Sequence, residues 1–338
     1  MTFNATPDPG FAPALDSYLH QYIRSLEGPM HMERIAGGQS NPTYFVTFEN
    51  RRLVMRMQPP GKLLPSAHAV DREHKIMSAL SPTNVPVPPM VLFCADPAVI
   101  GTPFYIMERV EGRIFHDCTL PGLSPAERRA IFRAMADTLA AFHTVDYAAV
   151  GLADYGKPGN YFARQVSRWS KQWELSRTRD DENVERLIAW LPAHIPNDDT
   201  TSLVHGDYRI GNIMFHPTEP RVVAVLDWEL STLGHPLADA AHTAIAWLTA
   251  SNEYGGLIGV DIAALGIPSL DDFVADYNAI AGRPLALTNF HKAFALFRWT
   301  IIFEGIAGRA KAGNAAAGNA GDTGQLAAIF ARRAAAFI

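Results

Sequence analysis

The hydrophobic pattern at the start of the chain predicts a helix followed by a sheet of short strands. Apolar residues at helical spacing predict an amphipathic helix over residues 14–26. The same spacing predicts a second helix over residues 68–80. Short apolar or alternating runs bounded by turn residues predict strands at residues 32–35, 44–48, 53–57, 91–94 and 104–107. The pattern therefore indicates a mostly stranded first part with one helix inserted into it.

Past residue 112 the hydrophobic pattern becomes mainly helical. Ser124, Pro125 and Glu127 form a capping box with proline at the first helical position, so a long core helix is predicted to begin there. Further helices are predicted over residues 161–179, 240–249 and 290–305. A chain of 338 residues is too long for one simple core, and the change of pattern predicts two lobes.

The segment 203–230 stands apart from the helices around it. Two short apolar runs, 213–215 and 222–226, flank a proline-containing turn, and they predict a hairpin. Residues with metal or proton chemistry precede and follow this hairpin: His205, Asp207, Asn212, Asp227 and Glu229. The hairpin would bring these side chains together at one of its ends. Asp239, further along the chain, is placed either to cap the next helix or to brace the loop that carries Asp207.

The spacing of Asp207 and Asn212 is that of a phosphoryl-transfer catalytic loop. In such a loop the aspartate orients or accepts the proton of the attacking hydroxyl, and the asparagine carbonyl binds a metal. Asp227, fifteen residues beyond Asn212, would be the second metal ligand. Single aspartates in loops are usually turn formers or helix caps. Because a structural role predicts no particular distance between three such residues, the combination favours a kinase-like site.

Arg56 and Glu73 are predicted to bind the phosphate end of a nucleotide. Arg56 ends the third predicted strand, where a kinase-like N-lobe places a cation that reaches the phosphates. A helix carboxylate holds that cation, and Glu73 lies in the middle of the helix predicted over residues 68–80. Glu73 could equally face solvent, as charged residues on helices usually do. We favour its partnership with Arg56.

Two backbone segments are further candidates for nucleotide contacts. The glycine-rich segment that includes Gly38, Ser40 and Asn41 would let N–H groups approach phosphate oxygens. The same residues also suit an ordinary hairpin turn, so this signal is weak. Glu108 and Val110 follow the last predicted strand of the first part, where a hinge backbone could pair with an adenine edge.

Composition and charge narrow the classes of function. The chain is 48% hydrophobic and 19% charged, which is ordinary for a globular protein, and its net charge of −5 argues against binding nucleic acid. No apolar run approaches the ~20 residues needed to span a bilayer. Only two cysteines occur, Cys94 and Cys118, and no basic-then-apolar leader begins the chain. A reducing cytoplasm is therefore the expected location.

Two motifs resemble the signature of the aminoglycoside phosphotransferase and choline kinase superfamily, a small-molecule branch of the protein-kinase-like fold. They are His205-Gly206-Asp207 with Asn212, and Leu226-Asp227-Trp228-Glu229. Other segments resemble one subgroup more closely, namely PPGKLLPSAHAVDRE after the Arg56 strand, VPVP, FYIMERVEG and RQVSRW. That subgroup includes the phosphotransferase domain fused ahead of acyl-CoA dehydrogenase in some animal proteins.

The resemblance implies an α+β, bilobal protein-kinase-like fold with an antiparallel-sheet N-lobe and a mainly helical C-lobe. The N-lobe would comprise residues 1–107, the hinge 108–112 and the C-lobe 113–338. The hinge contacts would come from Glu108 to Val110. The implied cofactors are ATP and Mg²⁺.

The resemblance also implies a role for each motif residue. Asp207 would be the catalytic base, Asn212 and Asp227 the metal ligands, and Glu73 the partner of the phosphate-binding cation. Most of the superfamily has lysine at the position of Arg56. Arginine is longer and differently hydrated, so the resemblance leaves open whether Arg56 does the work of that lysine.

The charges of the predicted acceptor region disfavour a polycationic substrate. An aminoglycoside needs a cleft lined with carboxylates, but residues 255–338 carry six acidic and seven basic residues, and the helix predicted over 161–179 adds five basic ones. A hydroxyacyl-CoA or a related acid fits this charge better and agrees with the fused dehydrogenase of the subgroup. That helix could instead present only a solvated basic face. The candidate substrate residues are Arg164, Arg168, Trp169, Arg298 and Glu304.

Other functions stay open at this point. An aminoglycoside or other amino-alcohol kinase would use the same catalytic set. A non-catalytic nucleotide-binding protein would keep the fold as a scaffold, although every residue of the catalytic set is present. A protein kinase is disfavoured because no DFG motif or activation segment follows Asp227. The expected partner is a small-molecule hydroxyl acceptor, with no nucleic acid and no membrane.

Overall fold

The computed structural model describes residues 10–35, 41–59, 68–282, 284–311 and 320–338. The chain divides into two units. The first comprises Met1–Gly112 together with Val223–Glu229, and the second comprises Arg113–Val222 and Leu230–Ile338. The division after Gly112 lies at the end of the segment predicted as a hinge. The sequence did not predict that Val223–Glu229 would group with the N-terminal part.

The first unit is built on a five-stranded antiparallel sheet. Its elements before Gly112 are α1 (Ala12–Tyr22), β1 (His31–Arg34), β2 (Thr43–Thr47), β3 (Arg52–Met57), α2 (Val70–Leu80), β4 (Met90–Cys94), α3 (Pro97–Ile100) and β5 (Phe104–Glu108). The strands lie in the order β1-β2-β3-β5-β4, and every neighbouring pair is antiparallel. In this register Arg56 on β3 lies opposite Thr43 on β2 and Tyr105 on β5.

The two faces of this sheet bury different side chains. The face that packs with α1 buries alternate residues of β3: Leu53, Met55 and Met57. Because successive side chains of a strand point to opposite faces, Arg56 points to the other face. Glu73 on α2 contacts Arg56 and Tyr105 there, so α2 lies over that second face. The alternation of β3 therefore places one charged residue inside the unit, where it needs a partner.

The second unit is mainly helical. Its elements are β6 (Arg113–Ile114), α4 (Pro125–His143), α5 (Tyr161–Ser176), α6 (Glu182–Trp190), β7 (Ser202–Val204), β8 (Ile213–Phe215), β10 (Thr232–Gly234), α7 (Pro236–Leu248), α8 (Ser251–Tyr254), α9 (Ile262–Leu265), α10 (Leu270–Ala281), α11 (Asn289–Lys311) and α12 (Ala320–Ala335). β9 (Val222–Val225) has its first residue in this unit and the other three in the first unit. β7 pairs antiparallel with β10, and β6 pairs antiparallel with β8. α11 packs against α5, α7 and α12.

Several predicted elements are confirmed, with shifted ends. The capping box of α4 is present, since the Ser124 hydroxyl accepts from the amide of Glu127 and the Glu127 carboxylate accepts from the amide of Ser124. α1 ends earlier than predicted because Ile23 adopts an extended conformation (φ −112°, ψ 112°). α7 begins earlier than predicted because Pro236 occupies its first turn and the His235 side chain caps it. No helix in the described ranges is long and apolar enough to cross a membrane.

His291 is buried at the start of α11. Its Nδ1 accepts a hydrogen bond from the amide of Thr288, the residue before the helix, over 3.2 Å. Its ring lies against Phe162, with the ring centroids 5.2 Å apart. Burial and the neighbouring His235 lower the pKa of His291 to about 4. The folded protein therefore holds this ring neutral at pH 7.

We expect His291 to make stability fall as the pH decreases from about 6.5 to about 4. The unfolded chain takes up a proton below about pH 6.5, whereas the folded chain does so only near its lowered pKa of about 4. The contribution is fully present above pH ~6.5, and it amounts to about 3 kcal/mol across the window. The measurement is the free energy of urea-induced unfolding of the wild type and His291→Asn at a series of pH values.

The asparagine variant keeps an acceptor near the Nδ1 position but does not titrate, so its pH dependence should be flatter. The matched control is His194→Asn, which replaces an exposed histidine of the same unit and should leave the slope as in the wild type. Equal slopes for the wild type and His291→Asn would contradict the prediction.

Candidate active site

The loop between β7 and β8 is held along its backbone by one face of α7. The carboxylate of Asp239 accepts hydrogen bonds from the amides of His205 (2.6 Å) and Gly206 (2.8 Å). One turn further along the helix, the Thr243 hydroxyl donates to the carbonyl oxygen of Tyr208 (2.9 Å). Gly206 has a φ of 84°, and a Cβ there would lie 2.7 Å from a backbone oxygen, so the turn requires glycine.

Asp239 is buried and ionised. Its relative exposure is 1%, and His143 Nε2 lies 3.3 Å from its Oδ2. Burial alone would raise the pKa of Asp239, but the hydrogen bond from His143 and the interactions with His205 lower it below its usual range. The hydroxyl of Tyr277 lies 2.9 Å from Nδ1 of His143 and orients that ring. Of the two roles that the sequence left open for Asp239, the structure shows the brace of the loop.

Asp207 carries an ionised carboxylate that is bound on both oxygens. His242 Nε2 lies 2.8 Å from Oδ1, and Asn212 Nδ2 donates to Oδ2 over 2.8 Å. Burial acts to raise the pKa of Asp207, but the hydrogen bond from His242 and the guanidinium of Arg209 lower it below its usual range. The side chain is 19% exposed. The carboxylate can therefore be reached by a substrate hydroxyl and is in the form that accepts a proton.

Asn212 is oriented by the same bonds. It ends a short 3₁₀ turn, Ile210–Asn212, and its Nδ2 also donates to the main-chain oxygen of Asp207 over 2.9 Å. Because the amide nitrogen is engaged by Asp207, the carbonyl oxygen Oδ1 is the atom that would bind a cation. Oxygen is the ligand that magnesium prefers. The structure thus brings together the aspartate and asparagine that the sequence spacing selected.

A second cluster lies within the first unit, around Arg56. Arg56 Nε lies 3.0 Å from Glu73 Oε2, Nη2 lies 2.7 Å from Asp227 Oδ1, and Glu229 Oε2 lies 3.6 Å from Nη2. Burial acts to lower the pKa of Arg56, but the carboxylates around it raise the pKa above its usual value. Glu73 is 1% exposed and also accepts hydrogen bonds from Asn41 Nδ2 (2.7 Å) and the Tyr105 hydroxyl (3.1 Å). Arg56 is therefore held by the predicted partner and by both acidic residues that follow β9.

The charge balance of this cluster fits a divalent cation. Three carboxylates surround one guanidinium, and burial together with Asp227 and Glu229 raises the pKa of Glu73 although Arg56 opposes the change. A cation at Asp227 would compensate the excess negative charge. Within the residues that the structure describes, no three His, Cys, Asp or Glu side chains form a cluster able to hold a metal ion. A magnesium ion here would need further ligands from phosphate oxygens and water, as is usual for this ion.

Residues 31–273 match the family model described as the phosphotransferase enzyme family. The chain belongs to this family. The matched range contains the Arg56 cluster, the loop that carries Asp207 and Asn212, and the face of α7 that holds this loop.

The relatives of this chain include longer proteins. The chain is 43% identical over 325 residues to acyl-CoA dehydrogenase family member 10 of Mus musculus, a match that covers 95% of this chain and 30% of that protein. It is 41% identical over 308 residues to acyl-CoA dehydrogenase family member 11 of Homo sapiens, covering 89% of this chain and 40% of that protein. The chain thus spans between three tenths and two fifths of the length of these relatives.

Solved structures show the fold of the chain. A Ralstonia eutropha JMP134 protein, provisionally assigned as an aminoglycoside phosphotransferase, superposes with a TM-score of 0.89 at 46% identity, covering 96% of this chain and 97% of that one. APH(4)-Ia, in complex with AMP-PNP and hygromycin B, superposes with a TM-score of 0.62 at 14% identity, covering 95% and 99%. The second likeness shows the fold alone. The predicted α+β protein-kinase-like fold is confirmed.

The other residues predicted to bind nucleotide have mixed outcomes. Gly38 and Ser40 lie outside the described residues. The side chain of Asn41 is buried, and it is engaged by Glu73 and His68. The amide of Glu108 donates to the carbonyl oxygen of Pro89 (2.9 Å), and its carboxylate pairs with Arg51. The adenine contacts predicted for the backbone of Glu108 and Val110 stay predictions.

The structure brings together three of the predicted substrate residues, Arg168, Trp169 and Arg298. The guanidinium of Arg298 lies 5.6 Å from the centroid of the Trp169 ring, and Arg168 lies 5.6 Å from the same centroid. Within the described residues, Nε of Arg298 and Nε1 of Trp169 are buried without a hydrogen-bond partner. Arg164 instead donates to the carbonyl oxygens of Lys157 and Gly159, which fixes the start of α5.

Glu304 does not have the surroundings expected for a substrate residue. It is 1% exposed, and it accepts hydrogen bonds of 2.7 Å from both the amide and the hydroxyl of Thr178. Arg179 Nε lies 3.3 Å from its other oxygen. The carboxylate therefore ties the segment after α5 to α11, and the predicted substrate contact is replaced by a structural role.

A cavity that the sequence did not predict adjoins the catalytic loop within the second unit. Its volume is about 370 Å³, and much of its wall is apolar, with Phe132, Met135, Trp247 and Trp299. Its polar lining includes His116, Arg209 and His242, and no acidic residue is among the described residues that line it. The only signal in the sequence was the helical spacing of Asp239, His242 and Thr243, which puts all three on one face of α7.

We expect Arg56→Lys to destabilise the protein by about 1–3 kcal/mol. Lysine has no planar fork, so it cannot contact Glu73, Asp227 and Glu229 at once, and buried carboxylates then lose donors. The measurement is the free energy of urea-induced unfolding. The matched control is Arg51→Lys, whose partner Glu108 lies in a more exposed pair, and which should cost less than about 1 kcal/mol. If both variants lose the same free energy of unfolding, the Arg56 guanidinium would not be stabilising three carboxylates at once.

Proposed function

We propose that this chain is an ATP- and Mg²⁺-dependent phosphotransferase that moves the γ-phosphoryl group to an alcohol hydroxyl of a small molecule. The observation that carries the proposal is the ionised carboxylate of Asp207, held by Asn212 Nδ2 at 2.8 Å at the start of a hairpin. In phosphoryl transfer the protein mainly positions groups and stabilises charge, and this pair is the part that orients the attacking hydroxyl. Membership of the phosphotransferase enzyme family supports the same reaction class.

Each residue has a role in this reaction. Asp207 accepts the proton of the acceptor hydroxyl while the new O–P bond forms and the bond to the leaving ADP breaks. Asn212 and Asp227 would hold Mg²⁺, which neutralises charge that develops on the phosphates. Arg56 would contact the phosphates while Glu73 keeps it in place. Its bonds to Asp227 and Glu73 support this role for an arginine where the superfamily usually has lysine.

We propose a hydroxyacyl-CoA or a related hydroxy acid as the acceptor. The cavity beside the catalytic loop supports this choice, since its walls are largely apolar and its described lining has Arg209 and two histidines but no carboxylate. A polycationic aminoglycoside would find no countercharge there. The relatives named as acyl-CoA dehydrogenase family members support an acyl compound by analogy only. An aminoglycoside or amino-alcohol kinase is the second candidate, supported by the Ralstonia eutropha structure.

The cytoplasmic location belongs to the same proposal. Cys94 and Cys118 are free thiols, which a reducing compartment would maintain.

Asp207→Asn tests the reaction class. We expect this variant to bind Mg-ATP as the wild type does but to lose about 100-fold or more in kcat, because the proton acceptor is gone while the proposed metal ligands remain. Calorimetry measures the binding, and release of phosphate from Mg-ATP, with and without acceptor, measures the rate. The control is Asp180→Asn, which changes a fully exposed carboxylate and should leave both unchanged. Undiminished turnover in Asp207→Asn would remove Asp207 from the mechanism and favour a different base.

A panel of acceptors tests the substrate class. We expect phosphate transfer to hydroxyacyl-CoAs or hydroxy acids and little transfer to aminoglycosides, because the described cavity lining lacks acidic residues. Transfer is followed as ADP formation and by mass spectrometry of the product. Turnover with aminoglycosides alone would reverse the order of the two candidates. If none of the acceptors is phosphorylated, a non-catalytic nucleotide-binding protein would be favoured.

A further inference from the structure

His242 lies on the face of α7 that contacts the catalytic loop, and the proposed mechanism has given it no role. It stands between Asp239 and Thr243 on this face, and the three side chains contact successive parts of the loop. The ring is 5% exposed, and its Nε2 lies 2.8 Å from Oδ1 of Asp207. A buried imidazole is therefore bound directly to the carboxylate assigned as the base.

Trp299 on α11 and the ionised carboxylate of Asp207 require the same nitrogen of His242 to carry the proton. The indole Nε1 lies 3.4 Å from Nδ1 of His242, and an indole N–H can only donate. Nδ1 must therefore accept, which places the imidazole proton on Nε2. In this tautomer Nε2–H donates to Oδ1 of Asp207.

We propose that Trp299 and His242 form a positioning pair for the catalytic base. The indole donates to Nδ1 and so favours the neutral Nε2–H form of the imidazole, and the imidazole N–H fixes the orientation of the Asp207 carboxylate toward the acceptor hydroxyl. The inference rests on the proposed function, because it takes Asp207 as the base. Both residues act through Asp207, in the way that outer residues orient metal ligands or catalytic groups in other sites.

The charges around His242 leave its ring neutral. Burial is the largest influence and lowers the pKa of His242 below its usual value, although Asp207 and Asp239 favour the charged form. Arg298 acts in the same direction as burial. The cavity that the ring lines also contains His116, Cys118, Arg209 and Tyr254. The hydrogen bond to Asp207 is therefore given by a neutral donor.

A neutral donor leaves the carboxylate able to work as a base. An ionised carboxylate offers about four lone-pair sites, so the bonds from His242 and Asn212 leave room for the acceptor hydroxyl. An imidazolium at position 242 would hold Asp207 in an ion pair and weaken its tendency to accept a proton. The Trp299 N–H opposes that state, because a protonated Nδ1 would face another donor.

Trp299 also connects the positioning pair to the acceptor cavity. Its indole lines the cavity and packs against Tyr254, with the ring centroids 4.8 Å apart. A molecule in the cavity would contact the same indole that orients His242. The pair thus links occupancy of the cavity to the orientation of the base.

Nitrogen NMR of ¹⁵N-histidine tests the pair without requiring turnover. The resonances missing from His242→Gln identify His242. We expect the wild type to show a neutral ring with the proton on Nε2 at about pH 6.5. Trp299→Phe should raise the pKa of His242 by about half a unit or more, since the neutral form loses a hydrogen bond that it accepts.

The matched control for the NMR experiment is Trp247→Phe. The Trp247 indole lines the same cavity, but its N–H donates to the carbonyl oxygen of Pro268 over 2.9 Å. This variant should therefore leave the tautomer and the pKa of His242 unchanged. A wild-type ring with its proton on Nδ1, or the same pKa in Trp299→Phe as in the wild type, would overturn the proposal.

Kinetics test the effect on the base, with water as the acceptor in the release of phosphate from Mg-ATP and with any acceptor found in the panel. We expect His242→Leu to lower kcat roughly 10- to 100-fold with the KM for ATP little changed. His242→Gln keeps an N–H near the Nε2 position and should recover most of this loss. If the side chain only supported the fold, its loss would not lower kcat while leaving the KM for ATP unchanged, and glutamine would not restore kcat.

The pH profile adds a second kinetic readout. In Trp299→Phe the acidic limb that His242 contributes to the profile of kcat should move to higher pH by about half a unit, and the double variant with His242→Gln should lack this limb. Equal losses of kcat in the Leu and Gln variants, or an acidic limb at the same pH in Trp299→Phe as in the wild type, would overturn the proposal. A wild type without any phosphate transfer would overturn the proposed function instead, and the NMR result would still decide the pairing of Trp299 with His242.

Discussion

The ionised carboxylate of Asp239 is the constraint on which the catalytic loop depends. A charge at 1% exposure is tolerated only when donors satisfy it, and here two backbone amides and His143 do so. Each hydrogen bond to a charged group contributes about 1.5–3 kcal/mol, so the residues just before Asp207 are fixed more firmly than those of an ordinary surface loop. The backbone that carries Asp207 is thus held by a buried carboxylate that does not itself contact the Asp207 side chain.

The buried charges of the first unit have the opposite arrangement, with several anions around one cation. Around Asp239 a single anion is surrounded by donors, whereas around Arg56 a single cation is shared by Glu73, Asp227 and Glu229. The first arrangement is satisfied and rigid, and the second retains excess negative charge. Such an excess is costly unless a further cation arrives. The first cluster therefore needs no further partner, whereas the second has negative charge that a bound cation would balance.

Local patterns were sufficient to predict much of this molecule. Strand alternation placed Arg56 correctly, the capping box of Ser124 and Glu127 marked the start of α4, and the spacing of Asp207 and Asn212 identified a pair that is hydrogen-bonded. Each of these signals lies within a few positions of the chain.

Contacts between distant segments were not accessible in the same way. Trp299 contacts a histidine 57 positions earlier, and Glu304 contacts Thr178 across 126 positions. Both are buried residues of a helix that is apolar on nearly every side, so no periodicity distinguishes them. In α7, by contrast, Ala246 and Trp247 line the cavity without hydrogen bonds to the loop backbone, Asp239 holds the loop, and His242 does both. Substitutions at Ala246 or Trp247 would therefore reshape the cavity wall while leaving in place the side chains that hold the loop, so one scaffold could accept molecules of different shape.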